Sequence, residues 1–141
     1  MFVILDTNHY REFLPESEAG HRLRQRLMDS TADAFITVVT VQETTQGWAA
    51  EINRRTAGPD QVHAYRQFQD AIHDFADITI LPFDDDAADE FQRLRGLRLL
   101  VGTMDLKIAA IARSHAAGVG DSFVFATSLP LQSLSKRLPM V

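Results

Sequence analysis

The sequence predicts an α/β fold: one domain over residues 1–141 with a central, mainly parallel sheet of four to five strands flanked by helices. Three observations predict it. Four short apolar runs, Phe2–Leu5, Phe35–Val39, Ile78–Leu81 and Phe123–Ala126, have the length of strands buried on both faces. Helix-patterned stretches separate consecutive runs, as crossover connections between parallel strands require. At 141 residues, with 45% hydrophobic and 23% charged residues, the chain has the size and composition of a single soluble domain with a real core.

The first run, Met1-Phe2-Val3-Ile4-Leu5, leads straight into Asp6. Burying the apolar residues is favourable, whereas burying an ionised Asp6 requires a cation or donors. Open α/β sheets bind ligands outside the carboxyl ends of their strands, which makes Asp6 a candidate functional residue. The alternative is that Asp6 or Thr7 caps the following helix. That helix is expected from Thr7 to Leu14, stopping near Pro15. A second is expected over Glu16–Asp29, with Ala19, Leu23 and Leu27 on one face and Arg22, Arg24 and Arg26 on the other.

Phe35–Val39 is the expected second strand, and Thr40-Val41-Gln42-Glu43 then opens a helix with Val41, Thr45, Trp48 and Ile52 as its buried stripe. Glu43 lies on a different face, beside Gly47 and Ala50, where small residues leave room for a ligand. Thr40-x-x-Glu43 equally fits a capping box, so both readings of Glu43 stand. Arg54 to Pro59 has turn chemistry, and Gln61–Ala76 reads as an amphipathic helix whose stripe Val62, Tyr65, Gln69, Ile72 and Phe75 is core or subunit interface. After the third strand, Asp84-Asp85-Asp86 complements a helix dipole, with a metal role for one of them as the alternative, and Ala87, Phe91 and Leu94 face inward.

Arg93, Arg95 and Arg98 surround a break at Gly96-Leu97. Thr103 is the expected N-cap of the next helix, with Asp105 in its first turn on the face of Ala109 and Ala112. His115, on the apolar side with Met104, Ile108 and Ile111, reads as a core histidine. The fourth strand runs into Thr127-Ser128-Leu129-Pro130, and Pro139-Met140-Val141 is a candidate edge strand.

Composition excludes several classes. With no cysteine there are no disulfides and no thiolate or zinc–thiolate chemistry. A net charge of −5 argues against a non-specific nucleic-acid coat, but not against a nuclease whose metal-binding acids supply part of that charge. No run approaches the roughly 18 apolar residues of a membrane span, and no signal peptide is visible, so a cytoplasmic protein is expected.

Asp6, Glu43 and Asp105 fall at corresponding places, and Leu5-Asp6-Thr7-Asn8, Val41-x-Glu43 and Gly102-Thr103-Met104-Asp105-Leu106-x-Ile108-Ala109-Ala110 together resemble the PIN-domain ribonucleases, most closely VapC-type toxins of toxin–antitoxin pairs. The resemblance runs nearly the whole chain, with Pro82-Phe83-Asp84 and Ala87-Ala88 matching the mid-chain pattern. It implies a Mg²⁺- or Mn²⁺-dependent endoribonuclease with a small antitoxin partner, commonly a homodimer. On that basis Asp6, Glu43 and Asp105 are the expected metal-binding and catalytic acids. Thr7, Asn8, Thr127 and Ser128 are the expected supporting donors, and Arg95, Arg98 and Lys107 the expected RNA phosphate contacts.

The chain departs from the family where a fourth acidic or amide ligand is usual: Leu129 stands there, and Gln132 replaces a later acid. Asp121 precedes strand four and so belongs to the other end of the sheet. A non-cleaving PIN domain that binds RNA or a protein partner is therefore the alternative. A haloacid-dehalogenase-type phosphatase needs a second acid where Asn8 stands, and a receiver domain needs an aspartate where Leu81-Pro82 stands.

Overall fold

A computed structural model describes residues 2–13, 18–30, 33–120 and 123–126. Strands β1 (Phe2–Leu5), β2 (Asp33–Thr37), β3 (Thr79–Leu81) and β4 (Phe123–Ala126) form one sheet in the order β3-β2-β1-β4. All its pairings are parallel, with Ile4 opposite both Phe35 and Phe125, and Leu5 opposite Ala126. Strand order reverses between β1 and β4, so the crevice at the carboxyl end of β1 is the place where such sheets take ligands. Residues 139–141, the candidate fifth strand, lie outside the described residues.

The alternation of side chains along β1 divides the core. Phe2 and Ile4 pack on one face with Val39, Leu81, Ala87, Ile108, Ile111 and Ala112. Val3 and Leu5 pack on the other with Tyr10 and Ile36. Both faces of β1 are thus covered, which is why its sequence is continuously apolar. His115 is half-buried at the edge of this core, edge-on to Phe2 with ring centroids 5.0 Å apart.

The crossovers are α1 (Thr7–Phe13) and α2 (Glu18–Ser30), α3 (Val38–Arg54) and α4 (Val62–Asp74), and α5 (Asp85–Gly96) and α6 (Thr103–Val119). The stripe Ala19, Leu23 and Leu27 of α2, and Arg26, lie outside the described side chains. Asp85 and Asp86 lie in the first turn of α5 as expected for complementing its dipole, and Asp84 in addition caps the helix, accepting from the Ala87 amide at 2.9 Å. Arg113 of α6 reaches Glu90 of α5 at 2.7 Å, while Arg93 pairs with the same carboxylate. Hydrogen bonding from Arg93, then from Arg113, holds the Glu90 carboxyl below its usual range against the opposing effect of burial. Leu94, Leu106, Ala109 and Ala110 fill the space between α5 and α6.

Four expectations are corrected. β2 ends at Thr37, and Val38-Val39, expected as strand, open α3. Thr37 is extended and its hydroxyl accepts from the Thr40 amide at 3.3 Å, an N-cap that outweighs the strand preference of two valines. In α3 the buried position is Thr44, whereas Thr45 is exposed. On α4, of the two roles read for its stripe, core does not hold for Val62, Tyr65 and Ile72, which are about half exposed at 47%, 53% and 50%, while Phe75 packs inward on Tyr10. This helix has a second apolar face, Ala64, Phe68, Ala71 and Phe75, whose alanines permit closer packing and are the residues buried. Finally, the N-cap of α6 is Gly102 rather than Thr103, with the Gly102 carbonyl accepting from the Leu106 amide at 2.9 Å.

Candidate functional site

Asp6 leaves β1 into α1 and is 4% exposed. Its carbonyl accepts from the Tyr10 amide at 2.9 Å and its Oδ1 accepts from the His9 amide at 2.8 Å, so Asp6 does cap α1. The same Oδ1 lies 2.9 Å from Nδ1 of His9. A buried carboxylate thus gains two donors from one residue.

Thr7 follows at the first position of α1, and its hydroxyl donates to Oε1 of Glu43 at 2.6 Å. It also lies 3.2 Å from the hydroxyl of Thr40, a residue without solvent exposure. Because Thr37 caps α3, Thr40 is the third residue of the helix and Glu43 lies in its second turn, not its first. The Thr40–Glu43 capping box therefore does not form. Glu43 turns instead across to α1, the geometry that the capping reading excluded. The small residue next to it leaves less room than expected: the Arg11 guanidinium lies 3.4 Å from where a Cβ on Gly47 would stand.

Asp105 is the third residue of α6, half-buried, with its Oδ2 lying over Gly102. Burial raises its pKa, and the charges of Glu43 and then Asp6 raise it further. Electrostatics thus ties together three acids from β1, α3 and α6. Among the described residues, no three His, Asp or Glu side chains stand close enough as they are to hold an ion together. Asn8 is exposed next to this region.

Arg95 and Arg98 are exposed and Lys107 is half-buried. Arg95 lines a shallow cleft with Phe91, Leu99, Val101, Thr103 and Leu106, alongside the first turn of α6. Arg98 adopts a left-handed conformation, φ 50°, in the turn after α5. Thr127, Ser128, Leu129 and Gln132 lie outside the described residues, as does Asp121. The residues that sequence reasoning missed are His9, Thr40 as a hydroxyl partner, and Arg11. His9 carried a readable signal, since a residue three after an N-cap aspartate must bring its amide to that side chain.

Known proteins bear on this arrangement in three ways. Among solved structures, the chain resembles VapBC2 from Rickettsia felis bound to a DNA fragment from its promoter, at 20% identity over 99% of this chain and 94% of that one, with a TM-score of 0.63. It also resembles DNA-bound VapBC from Salmonella typhimurium, at 20% identity over 99% and 93% of the two chains and a TM-score of 0.61. VapBC-1 from nontypeable Haemophilus influenzae has 15% identity, 96% and 92% coverage and a TM-score of 0.63. No curated protein matches. A family profile described as the PIN domain matches residues 3–120, a span that contains Asp6, Glu43, Asp105 and the helices that carry them. On that match this chain belongs to the PIN domain family.

Proposed function

We propose that the chain is a metal-dependent endoribonuclease, the toxin of a toxin–antitoxin pair, which hydrolyses RNA phosphodiester bonds. The carrying observation is the PIN domain match over residues 3–120, which contains Asp6, Glu43 and Asp105; the raised pKa of Asp105 under burial and the charges of Glu43 and Asp6 supports it. Acids that repel one another beside a buried strand end are unfavourable alone, and a hard divalent cation relieves that repulsion. The donor set, three carboxylates with no sulfur, suits Mg²⁺ or Mn²⁺ in kind. Asp6, Glu43 and Asp105 would hold the ion. When bound, it would supply a water of lowered pKa and charge stabilisation at the phosphate.

The chain's own groups do the rest. The Thr7 hydroxyl orients Glu43, and the α1 N-terminus with His9 orients Asp6. Asn8, Thr127 and Ser128 are assigned as further donors around the site. Arg95, Arg98 and Lys107 are assigned to substrate phosphates, Arg through its bidentate fork. The likeness to VapBC complexes supports a small antitoxin protein as partner, and a homodimer is the assembly we assign. Cytoplasmic action on RNA fits a chain in which no described helix is long and apolar enough to cross a membrane.

The test is incubation of the purified chain with structured RNA in Mn²⁺ or in EDTA, beside Asp6→Asn. Cleavage that needs Mn²⁺ and disappears in Asp6→Asn is the expected result. One second reading has support from Leu129 and from the open spacing of the acids: a PIN domain that binds RNA or a protein partner without cutting. It takes over if the wild type binds RNA yet neither cuts it nor binds Mn²⁺.

A further inference from the structure

Thr7 and Arg11 are one turn apart on α1, and Glu43 and Gly47 are one turn apart on α3, so the two pairs lie along one seam between the helices. At the first step of that seam the Thr7 hydroxyl meets Glu43 at 2.6 Å. At the next, the Arg11 guanidinium lies over Gly47, with Nη2 3.4 Å from where a Cβ would stand. Among the described residues, no other atom outside the local turns of α3 comes within 4 Å of that point. Gly47 stands inside a 17-residue helix, where glycine is less stable than alanine, and no close approach of another backbone requires it. The room it leaves is taken by an exposed guanidinium that forms no hydrogen bond or ion pair among the described residues. The dipole of α1 favours a cation in its last turn, which accounts for a charge at Arg11 but not for the glycine opposite.

We propose that Arg11 binds a phosphate of the RNA substrate where the RNA backbone crosses the seam between α1 and α3 beside Glu43, and that Gly47 keeps the place of its guanidinium open. The inference rests on RNA as the ligand, which the reading above assigns, and requires neither a bound metal nor cleavage. Both helices start at the carboxyl end of the sheet, after β1 and β2, where such folds take ligands. RNA arriving there meets Asp6, Glu43 and a chain of net charge −5, so the attraction must come from individual cations held at the crevice. A guanidinium with its N–H donors uncommitted suits that task, because its planar fork matches two phosphate oxygens at once.

The test is fluorescence anisotropy of a labelled structured RNA titrated with the full chain in EDTA, at several salt concentrations. Arg11→Gln should weaken binding roughly three- to tenfold and lower the slope of log affinity against log salt by about 0.7–0.9. Arg11→Lys keeps the charge, so it should keep the slope and lose part of the affinity. Gly47→Leu brings a better helix former and displaces the guanidinium. It should therefore raise Tm yet weaken RNA binding, with no further loss in an Arg11→Gln background. Unchanged affinity and slope in Arg11→Gln overturn the inference and leave the guanidinium to an acidic group of a protein partner. An equal loss from Gly47→Leu with and without Arg11 overturns it too, since the leucine then obstructs RNA by bulk alone. In both cases Mn²⁺-dependent cleavage still decides the nuclease reading. A wild type that binds no RNA in EDTA also overturns the inference, and if it cuts none in Mn²⁺ the nuclease reading falls with it.

Discussion

Replacing Thr7 by valine would keep the shape of a β-branched residue and remove one buried hydroxyl. Thr7 is 8% exposed, and its Oγ1 donates to Glu43 at 2.6 Å while lying 3.2 Å from Thr40 Oγ1. A hydrogen bond to a charged group contributes about 1.5–3 kcal/mol. The valine methyl would also face a half-buried carboxylate and leave the fully buried Thr40 hydroxyl without this partner. The expected loss is therefore about 2–3 kcal/mol, and for a chain of 141 residues this lowers Tm by roughly 4–10 °C. Urea unfolding gives the free energy, and Glu43→Ala with the double variant closes a mutant cycle. Coupling of about 1–3 kcal/mol is expected for residues in direct contact. A Thr7→Val protein within about 0.5 kcal/mol of wild type, or strict additivity with Glu43→Ala, would show that α1 and α3 are not tied at this point. RNA cleavage should fall with the same substitution, because Glu43 then loses its orientation.

Three further outcomes can be measured, two from this geometry and the third from the family pattern at Leu129. The folded-state pKa of Asp105 is raised, so its contribution to stability is fully present below the ordinary aspartate value of about 3.9 and is lost as pH rises through the folded value. Asp105→Asn should therefore raise the metal-free Tm at pH 7, with the gain fading toward pH 4, while abolishing cleavage; melts in EDTA across that range check it, and an unchanged or lower Tm at pH 7 contradicts it. Burial, with Asp74 and Asp77, pushes the Tyr10 phenol up to about 12, and its hydroxyl has no hydrogen-bond partner among the described residues. Stability should thus fall as pH rises from about 10 toward 12, and Tyr10→Phe, which keeps the stack on Phe75, should unfold no earlier at pH 7 and escape that fall. Leu129→Asp should tighten Mn²⁺ binding and speed cleavage by restoring a charged ligand, as calorimetry and a cleavage assay would measure; no change in either removes Leu129 from the site.

The strands were legible because each is a short apolar run between helical patterns, and the central place of β1 follows from an apolar stretch with no polar face. The start of α3 was not, since Thr37 and Thr40 are equally plausible caps on paper and only the Thr37 hydroxyl engages an amide. That three-residue shift decided the reading of Glu43, whose partner Thr7 lies 36 residues away and leaves no local pattern. The packed face of α4 was ambiguous for another reason. Two apolar faces both keep helical spacing, and hydrophobicity favours the larger residues, whereas close packing selected Ala64 and Ala71. The start of α5, by contrast, was legible at Asp84-Asp85-Asp86 because acids in a helix's first turn are a wholly local signal, to which Asp84 adds a cap on the Ala87 amide.

The three acids are supported by three different devices, and the differences decide which of them carries the burden of the site. Asp6 sits at the N-terminus of α1 with two donors on Oδ1. Glu43, too far along α3 to use that helix's dipole, accepts a hydroxyl from α1 instead. Asp105 lies in the first turn of α6, where the dipole favours its charge, yet among the described residues no donor bonds to its carboxylate. The dipole is worth about 0.3–1 kcal/mol at partly exposed positions. It opposes burial and two like charges, and the pKa of Asp105 rises, so the dipole loses. Of the three, Asp105 is therefore the group whose charge the protein leaves for something else to satisfy. A nuclease built on this frame would gain most of its cation affinity there, with Asp6 and Glu43 held in place beforehand by contacts that do not need the ion.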